Sequence, residues 1–203
     1  MILFNGPNTP FGRMALATAL ELGLEVENKL INVFDAEFLD AINPMRQIPT
    51  LLLDDGRAMF DSRVICAYFC SLRPGRGLNA VEDRWDVQTH WWLAVGLMES
   101  SVQRVMELLR PKSEQSPSAL QKYNRRIDNV IAKLEAAADQ ICSSEVRMDR
   151  LAVAIALEYT DFRIRRSWRD QAPQLRDWLE AESQRPSLVA TQPQERSAAP
   201  PVT

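Results

Sequence analysis

The sequence predicts a small α/β domain in the order β-α-β-α-β-β-α, followed by an all-α domain. In the first 70 residues, apolar segments of strand length alternate with helical segments. Asp54–Gly56 separates two further apolar segments, and a D-G turn in this position is a strong signal for a β-hairpin. From Ala80 onwards, apolar residues recur with helical spacing over long stretches. This change of pattern separates the two domains.

The first three elements are predicted from their boundaries. Met1–Phe4 is short and apolar, as a buried strand requires. Pro10 suits the first helical position, where its missing N–H is not needed, so Thr9 is the predicted N-cap. Gly23 is the expected end of this helix. Val26–Val33 alternates well enough to predict the second strand.

The rest of the first domain is predicted as a short helix, a hairpin and a longer helix. The short helix includes Phe38–Ile42, and the hairpin joins Ile48–Leu53 to Arg57–Phe60. Asp61–Ser62 supplies acceptor side chains at the start of the longer helix, which should end near Arg73–Gly75.

The second half predicts a helical bundle. A long helix covers Ala80–Arg110, and the polar segment Pro111–Pro117 separates it from a second helix over Leu120–Ile141. Apolar residues at Leu151–Leu157 and around Trp178 indicate two more helices. The predicted domains are therefore residues 1–73 and 80–190, with a linker at 74–79 and a flexible tail at 191–203.

Two motif-like features do not change this organisation. Gly75–Ala80 matches the dinucleotide pattern G-x-G-x-x-A, but it follows a helix and a proline, so we interpret it as part of the linker. Trp91 and Trp92 point about 100° apart on a helix, so one should lie in the core and the other at a cleft or partner. No neighbouring motif gives His90 an orienting carboxylate, and we expect it at the surface or half-buried.

Composition excludes several classes of function. The chain has 24 Lys+Arg and 27 Asp+Glu, so it lacks the basic excess of a nucleic-acid-binding protein. One His and three Cys cannot form a histidine cluster or a four-thiolate zinc site, and we expect no metal. No apolar segment approaches the roughly 20 residues that span a bilayer. The odd cysteine count without a C-x-x-C motif predicts a soluble protein of the reducing cytoplasm.

The residues most suggestive of function surround the start of the first helix. A helix N-terminus stabilises an anion through its free N–H groups and its dipole, so it would lower the pKa of a sulfur placed there. Thr9 would add a hydroxyl donor, and a cis Pro49 would turn the backbone of Ile48 towards an extended peptide. Asp61–Ser62 could hold the charged groups of an amino acid. Thr9 and Asp61–Ser62 would also serve as helix caps without any ligand.

The order of these segments resembles the soluble, bacterial-type glutathione transferase superfamily over about the first 190 residues. Asn43–Leu51 is similar to the family segment N-P-x-x-x-V/I-P-x-L, whose proline is cis, and Phe60–Phe69 is similar to E/D-S-x-x-I-x-x-Y-L. Thr9–Arg13, Tyr159–Arg163 and Arg185–Pro193 are similar to segments of bacterial members. The resemblance implies a thioredoxin-like N-terminal domain, an all-helical C-terminal domain, and glutathione as co-substrate.

The resemblance also implies roles for individual residues. Gly6 stands where serine-type members often have their catalytic hydroxyl, so thiol activation would shift to one of two catalytic candidates, Thr9 and Asn8. Gln47 replaces a Lys of many members, whose charge Arg46 could supply. The implied glutathione-binding residues are Arg46, Gln47, Ile48, Pro49, Asp61 and Ser62. The candidates for an apolar substrate pocket are Phe11, Trp91, Trp92 and Met98.

Three functions are compatible with the resemblance. The first is a glutathione transferase that joins the glutathione thiolate to a small apolar electrophile, whose identity the sequence does not reveal. The second is a glutathione-dependent disulfide reductase or peroxidase, although the first turn has no cysteine to form a mixed disulfide. The third is a non-catalytic binding protein. The resemblance and the apolar content of Ala80–Arg110 also predict a homodimer.

Overall fold

The first domain contains a four-stranded mixed sheet with two long helices. The computed structural model describes residues 1–75, 78 and 84–193. Its strands are β1 (Ile2–Asn5), β2 (Glu27–Leu30), β3 (Thr50–Leu52) and β4 (Ala58–Met59), in the order β2-β1-β3-β4. β1 runs parallel to β2 and antiparallel to β3, which pairs with β4 through the predicted hairpin. The long helices are α1 (Pro10–Glu21) and α2 (Ser62–Ser71), which pack against each other.

The regular elements in the described part of the second domain are all helices. Its helices are α3 (Trp85–Leu109), α4 (Pro117–Glu135), α5 (Ala138–Ile141), α6 (Met148–Arg163), α7 (Trp168–Gln171), α8 (Pro173–Glu182) and α9 (Pro186–Ala190). The continuous apolar segment Leu151–Leu157 of α6 is entirely buried, because α6 packs against α3 and also against α1 of the first domain. The predicted α/β domain followed by an all-α domain is confirmed. No helix in the described part of the chain is both long and apolar enough to cross a membrane.

The two ends of α1 lie where the residues around them predict. The helix begins at Pro10 with Thr9 as N-cap, and it ends before Gly23, whose φ of 63° is a left-handed conformation that favours glycine. Beyond this turn, the N–H of Leu24 donates to the carbonyl of Ala19 at 2.9 Å. Both predicted boundaries are therefore confirmed.

Several predicted boundaries differ from the structure. The second strand is limited to Glu27–Leu30 and is exposed at every residue, because β2 is an edge strand paired only with β1. The short helix is a 3₁₀ helix over Glu37–Ala41. The predicted helix Leu120–Ile141 is divided between α4 and α5. The N-terminal part of the predicted long helix, half of the linker 74–79, most of the G-x-G-x-x-A motif and most of the tail 191–203 lie outside the described residues.

The prediction for His90 is wrong. This side chain is buried between α3 and α6, with Nδ1 3.5 Å from Oδ2 of the fully buried Asp149. Asp149 also accepts hydrogen bonds from Nε and Nη2 of Arg147, at 2.6 and 2.8 Å. The carboxylate beside His90 thus comes from a different helix, which no motif next to His90 could indicate, and Nδ1 makes no hydrogen bond to it.

A buried arginine connects the two domains. Arg13 of α1 is 7% exposed, and its Nη2 lies 2.5 Å from Oε2 of Glu158 on α6. Nη2 also donates to the carbonyl of Leu188 at 3.0 Å, and Nε donates to Oγ1 of Thr191 at 3.2 Å. Burial lowers the pKa of Arg13, although Glu158 acts in the opposite direction. One side chain therefore links α1 to α6 and to the segment around α9.

Candidate active site

The turn between β1 and α1 presents a helix N-terminus. β1 ends at Asn5, the turn covers Gly6–Thr9, and α1 begins at Pro10. Thr9 has the extended backbone of an N-cap, but its side chain makes no capping hydrogen bond. The first-turn N–H groups of a helix lack intrahelical acceptors, and the dipole adds positive potential. The site can therefore stabilise an anion with a hydroxyl that the helix does not use.

The turn lies directly against the segment that contains Pro49. A Cβ atom built on Gly6 would be 2.8 Å from Cδ1 of Ile48, so the two residues are in close contact. The Ile48–Pro49 peptide bond is cis, as the resemblance implies. Nδ2 of the buried Asn43 donates to the carbonyl of Gln47 at 3.0 Å and to Oγ1 of Thr50 at 2.9 Å. Asn43 therefore fixes the loop that presents Ile48 beside the helix start.

Arg46 already has an acidic partner in the structure. Its Nε donates to Oδ1 of Asp40 at 2.7 Å, and its Nη2 bonds the other carboxylate oxygen. These contacts lower the pKa of Asp40 and raise the pKa of Arg46. Any charge that Arg46 offers to a ligand carboxylate is therefore shared with Asp40. Gln47 next to it is exposed.

Asp61 and Ser62 stand at the start of α2, as predicted. Asp61 is the N-cap, and its Oδ1 accepts from the backbone N–H of Arg63 at 2.7 Å. The Phe60–Asp61 peptide bond is also cis, and Ser62 is buried. Arg63 was not among the predicted site residues, and its Nε lies 3.3 Å from the same Asp61 oxygen. Its guanidinium also stacks 4.4 Å above the ring of Trp92, which connects α2 to α3.

The four candidates for an apolar pocket have different environments. Met98 is completely buried and Trp91 is nearly so, and both belong to the main hydrophobic core. These two predictions are wrong, because the helix face that carries them packs inside the domain. Trp92 is 53% exposed beneath Arg63, and Phe11 is half-buried at the start of α1. Only Phe11 and Trp92 therefore remain accessible candidates.

A cavity of about 150 Å³ lies beside the turn and was not predicted. Its walls come from the β1–α1 turn, the edge strand β2, α6 and the chain after α9, which are far apart in sequence. The lining residues include Asn8, Thr9, Arg13, Asn28, Tyr159 and Thr191. Burial raises the pKa of Tyr159, so its phenol is neutral at physiological pH. The cavity contains none of the six predicted glutathione-binding residues.

The thiols of the chain are poor nucleophiles. All three cysteines are free, and burial raises the pKa to about 12 for Cys66 and to about 11 for both Cys70 and Cys142. Cys66 and Cys70 are core residues, as predicted. Within residues 1–75, 78 and 84–193, no group of His, Cys, Asp or Glu side chains could hold a metal ion. A reactive sulfur at the β1–α1 turn would therefore come from a ligand.

Comparisons with known proteins agree with this geometry. The family profile described as "Glutathione S-transferase, N-terminal domain" matches residues 3–77. A glutathione transferase family member from Pseudomonas fluorescens Pf-5, solved with bound glutathione, is 33% identical with a TM-score of 0.87. The similarity covers 96% of this chain and 99% of that chain.

A second structure of the Pseudomonas protein and one further relative extend the comparison. The second structure, with bound S-(propanoic acid)-glutathione, is 32% identical to this chain with a TM-score of 0.83. The similarity covers 96% of this chain and 100% of that chain. The uncharacterized glutathione transferase-like protein YibF of Escherichia coli K12 is 27% identical over 203 residues. That alignment covers 95% of this chain and 98% of YibF. The similarity thus extends through both domains.

Proposed function

Because the chain belongs to the glutathione transferase superfamily, we propose that it conjugates the thiolate of glutathione to small apolar electrophiles. The observation that carries this proposal is the contact between Gly6 and Ile48. It places a helix N-terminus, which stabilises a thiolate, beside the backbone that would pair with the glutathione peptide. The 33% identical relative with bound glutathione supports the same ligand for this chain.

Each end of glutathione has a proposed partner. The thiolate would accept hydrogen bonds from Thr9 or Asn8 and from first-turn N–H groups of α1. The peptide backbone would pair with Ile48 beside Pro49, and the glycine carboxylate would lie near Arg46 and Gln47. The γ-glutamyl ammonium and carboxylate groups would bind at the start of α2, where Asp61 and Ser62 offer a carboxylate and a hydroxyl. This arrangement uses all six predicted glutathione-binding residues.

The proposed reaction forms one carbon–sulfur bond. The thiol loses its proton to solvent, and the sulfur then attacks an electrophilic carbon. A leaving group departs with the bonding electrons, or, for an activated alkene, a proton adds to the neighbouring carbon. The thioether S-(propanoic acid)-glutathione in the 32% identical relative is a conjugate of this kind. Phe11 is the proposed apolar contact for the electrophile, because Trp92 lies in the patch that we assign to the dimer contact.

The disulfide reductase alternative receives less support from the structure. A protein mixed disulfide requires an accessible thiolate, whereas burial raises the pKa of all three cysteines well above neutrality. The absence of disulfides from these cysteines fits the proposed cytoplasmic location, where thiols remain reduced. A reductase or peroxidase in which bound glutathione itself does the redox work would need no protein thiol. We favour the transferase because the 32% identical structure holds a conjugate of glutathione.

A calorimetric titration together with a conjugation assay tests the proposal. We expect one molecule of glutathione to bind per chain, and a chloronitrobenzene to be conjugated faster than in the protein-free reaction. S-methylglutathione, which has no free thiol, should bind and inhibit without being conjugated. Failure to bind glutathione would overturn the proposal. Binding without conjugation would instead indicate the non-catalytic binding protein.

We also propose that the protein is a homodimer with its contact on the α2–α3 face. Val64, Trp85 and Trp92 are large apolar residues on this face, and each is more than half exposed. Trp85 and Trp92 are seven residues apart on α3 and therefore share one side of the helix. A two-fold dimer that covers this patch would remove it from water.

Sedimentation of the wild type at micromolar concentration is expected to give twice the chain mass of 23.1 kDa. Trp85→Glu should shift the equilibrium towards monomer, because a carboxylate would be buried in the contact. Leu109→Glu is the matched control, since Leu109 is equally exposed at the other end of α3. A 23.1 kDa wild-type species would rule out the dimer.

A further inference from the structure

We infer that Asn5 is a positioning residue for thiol activation, through its hold on the β1–α1 turn. This inference rests on the proposed function, because it concerns the turn that carries Asn8 and Thr9. Asn5 is the last residue of β1 and is only 3% exposed. A carboxamide that is buried in this way needs partners for its donor and acceptor atoms. The structure supplies both.

The Asn5 side chain joins the turn to the neighbouring strand. Its Oδ1 accepts a hydrogen bond from the backbone N–H of Gly6 at 2.8 Å. Its Nδ2 donates to Oδ1 of Asn28 on β2 at 3.2 Å. The first bond fixes the direction in which the chain leaves β1, and the second fixes the orientation of the carboxamide. Asn5 thereby determines the path of the residues that follow it.

The same carboxamide packs against the first turn of α1. A Cβ atom on Gly12 would be 1.6 Å from Oδ1 and 2.4 Å from Cγ of Asn5, so the side chain occupies the space that a residue other than glycine would need. The same Cβ would be 2.9 Å from Cγ2 of Thr9. Glycine costs about 1 kcal/mol relative to alanine inside a helix. The close packing of Asn5, Thr9 and Gly12 explains why glycine occurs here.

This geometry predicts an effect on turnover rather than on affinity. Asn5 would not touch the sulfur and would act on it only by holding the turn in place. Most contacts of glutathione are proposed elsewhere, at Ile48 and the start of α2. Hydrogen bonds to a developing or stabilised anion depend strongly on donor position. If the turn can shift, the Thr9 hydroxyl and the helix N–H groups are no longer held at hydrogen-bonding distance from the thiolate. The pKa of the bound thiol should therefore rise.

The test compares Asn5→Ala with Asn28→Ala. Asn5→Ala is expected to lower kcat about tenfold and to raise the pKa of bound glutathione, read from thiolate absorbance, with KM for glutathione changed less than twofold. Asn28→Ala removes the bond that orients the carboxamide but leaves the bond to the Gly6 N–H in place, so it should lower kcat by less than Asn5→Ala does. An Asn5→Ala variant that melts like the wild type and keeps its kcat and thiol pKa would overturn the inference.

A double variant shows whether Gly12→Ala lowers activity through its collision with the Asn5 carboxamide or through an unrelated loss of structure. Gly12→Ala alone should lose at least as much activity as Asn5→Ala, because its methyl group collides with the carboxamide. In Asn5→Ala/Gly12→Ala the collision with the carboxamide is gone and only the 2.9 Å approach to Cγ2 of Thr9 remains, so kcat should exceed that of Gly12→Ala alone. An equal loss from Gly12→Ala in both backgrounds would contradict the inference. If the wild type itself does not bind glutathione, the proposed function has failed, and this inference fails with it.

Discussion

Replacement of Arg13 by alanine is expected to lower the free energy of unfolding by about 3–5 kcal/mol. The variant would leave Glu158, whose side chain is 13% exposed, as a buried carboxylate without its cation. The carbonyl of Leu188 and Oγ1 of Thr191 would also lose the hydrogen bonds that Arg13 donates. Urea unfolding at neutral pH, analysed by linear extrapolation, measures the change if the transition is two-state.

Two further variants show whether burial causes this loss. Arg57→Ala removes an ion pair with Asp55 that is largely exposed, and such pairs contribute little to stability because water screens them. In Arg13→Met/Glu158→Leu, both charges are replaced by apolar groups, which often restores stability because no unpaired charge is left. A loss from Arg13→Ala no larger than that from Arg57→Ala would show that water reaches the Arg13–Glu158 pair.

Elements set by neighbouring residues could be predicted from the sequence. Gly23 and Gly56 both adopt positive φ values at turns, and each marks the end of an element where the sequence predicted it. Pro10 begins α1, and Asp61 caps α2. Each of these signals depends on only a few neighbouring residues, so it does not depend on how distant parts of the chain pack.

Contacts between distant elements could not be predicted in the same way. Helical spacing puts Trp91 and Met98 on one face of α3, but it does not reveal that this face packs in the core. The carboxylates beside His90 and Arg13 belong to α6, which no local pattern connects to α3 or α1. The cavity next to the β1–α1 turn likewise requires four separate parts of the chain.

The candidate site contains both residues that a local motif predicts and contacts between distant elements that no local motif predicts. Family-like segments predict Ile48, Pro49, Asp61 and Ser62 as glutathione-binding residues because each occurs in a short, ordered motif. The close contact of Gly6 with Ile48, and the packing of Asn5 against Gly12, depend on how β1, α1 and the loop before β3 come together. Glycine at positions 6 and 12 permits these contacts, but a glycine in a sequence does not show which side chain fills the space beside it.

Replacement of Thr9 by valine is expected to lower turnover roughly 10- to 100-fold, with little change in the affinity for glutathione. Valine keeps the shape of threonine but has no hydroxyl. The structure shows that this hydroxyl makes no capping bond to α1, so its loss should remove a donor to the thiolate without removing a helix cap. Thr9→Ser is the matched control, because it keeps the hydroxyl and should retain activity within about threefold.

The pH dependence gives the decisive measurement. A hydrogen bond from Thr9 favours the thiolate over the thiol and therefore lowers the pKa of bound glutathione. Thr9→Val should move the midpoints of thiolate absorbance and of turnover to higher pH, so the loss is greatest below the new midpoint and diminishes above it. Asn8→Ala should have the smaller effect. If Asn8→Ala shifts both profiles while Thr9→Val does not, the main donor is Asn8; if neither variant does, the N–H groups of α1 stabilise the thiolate alone.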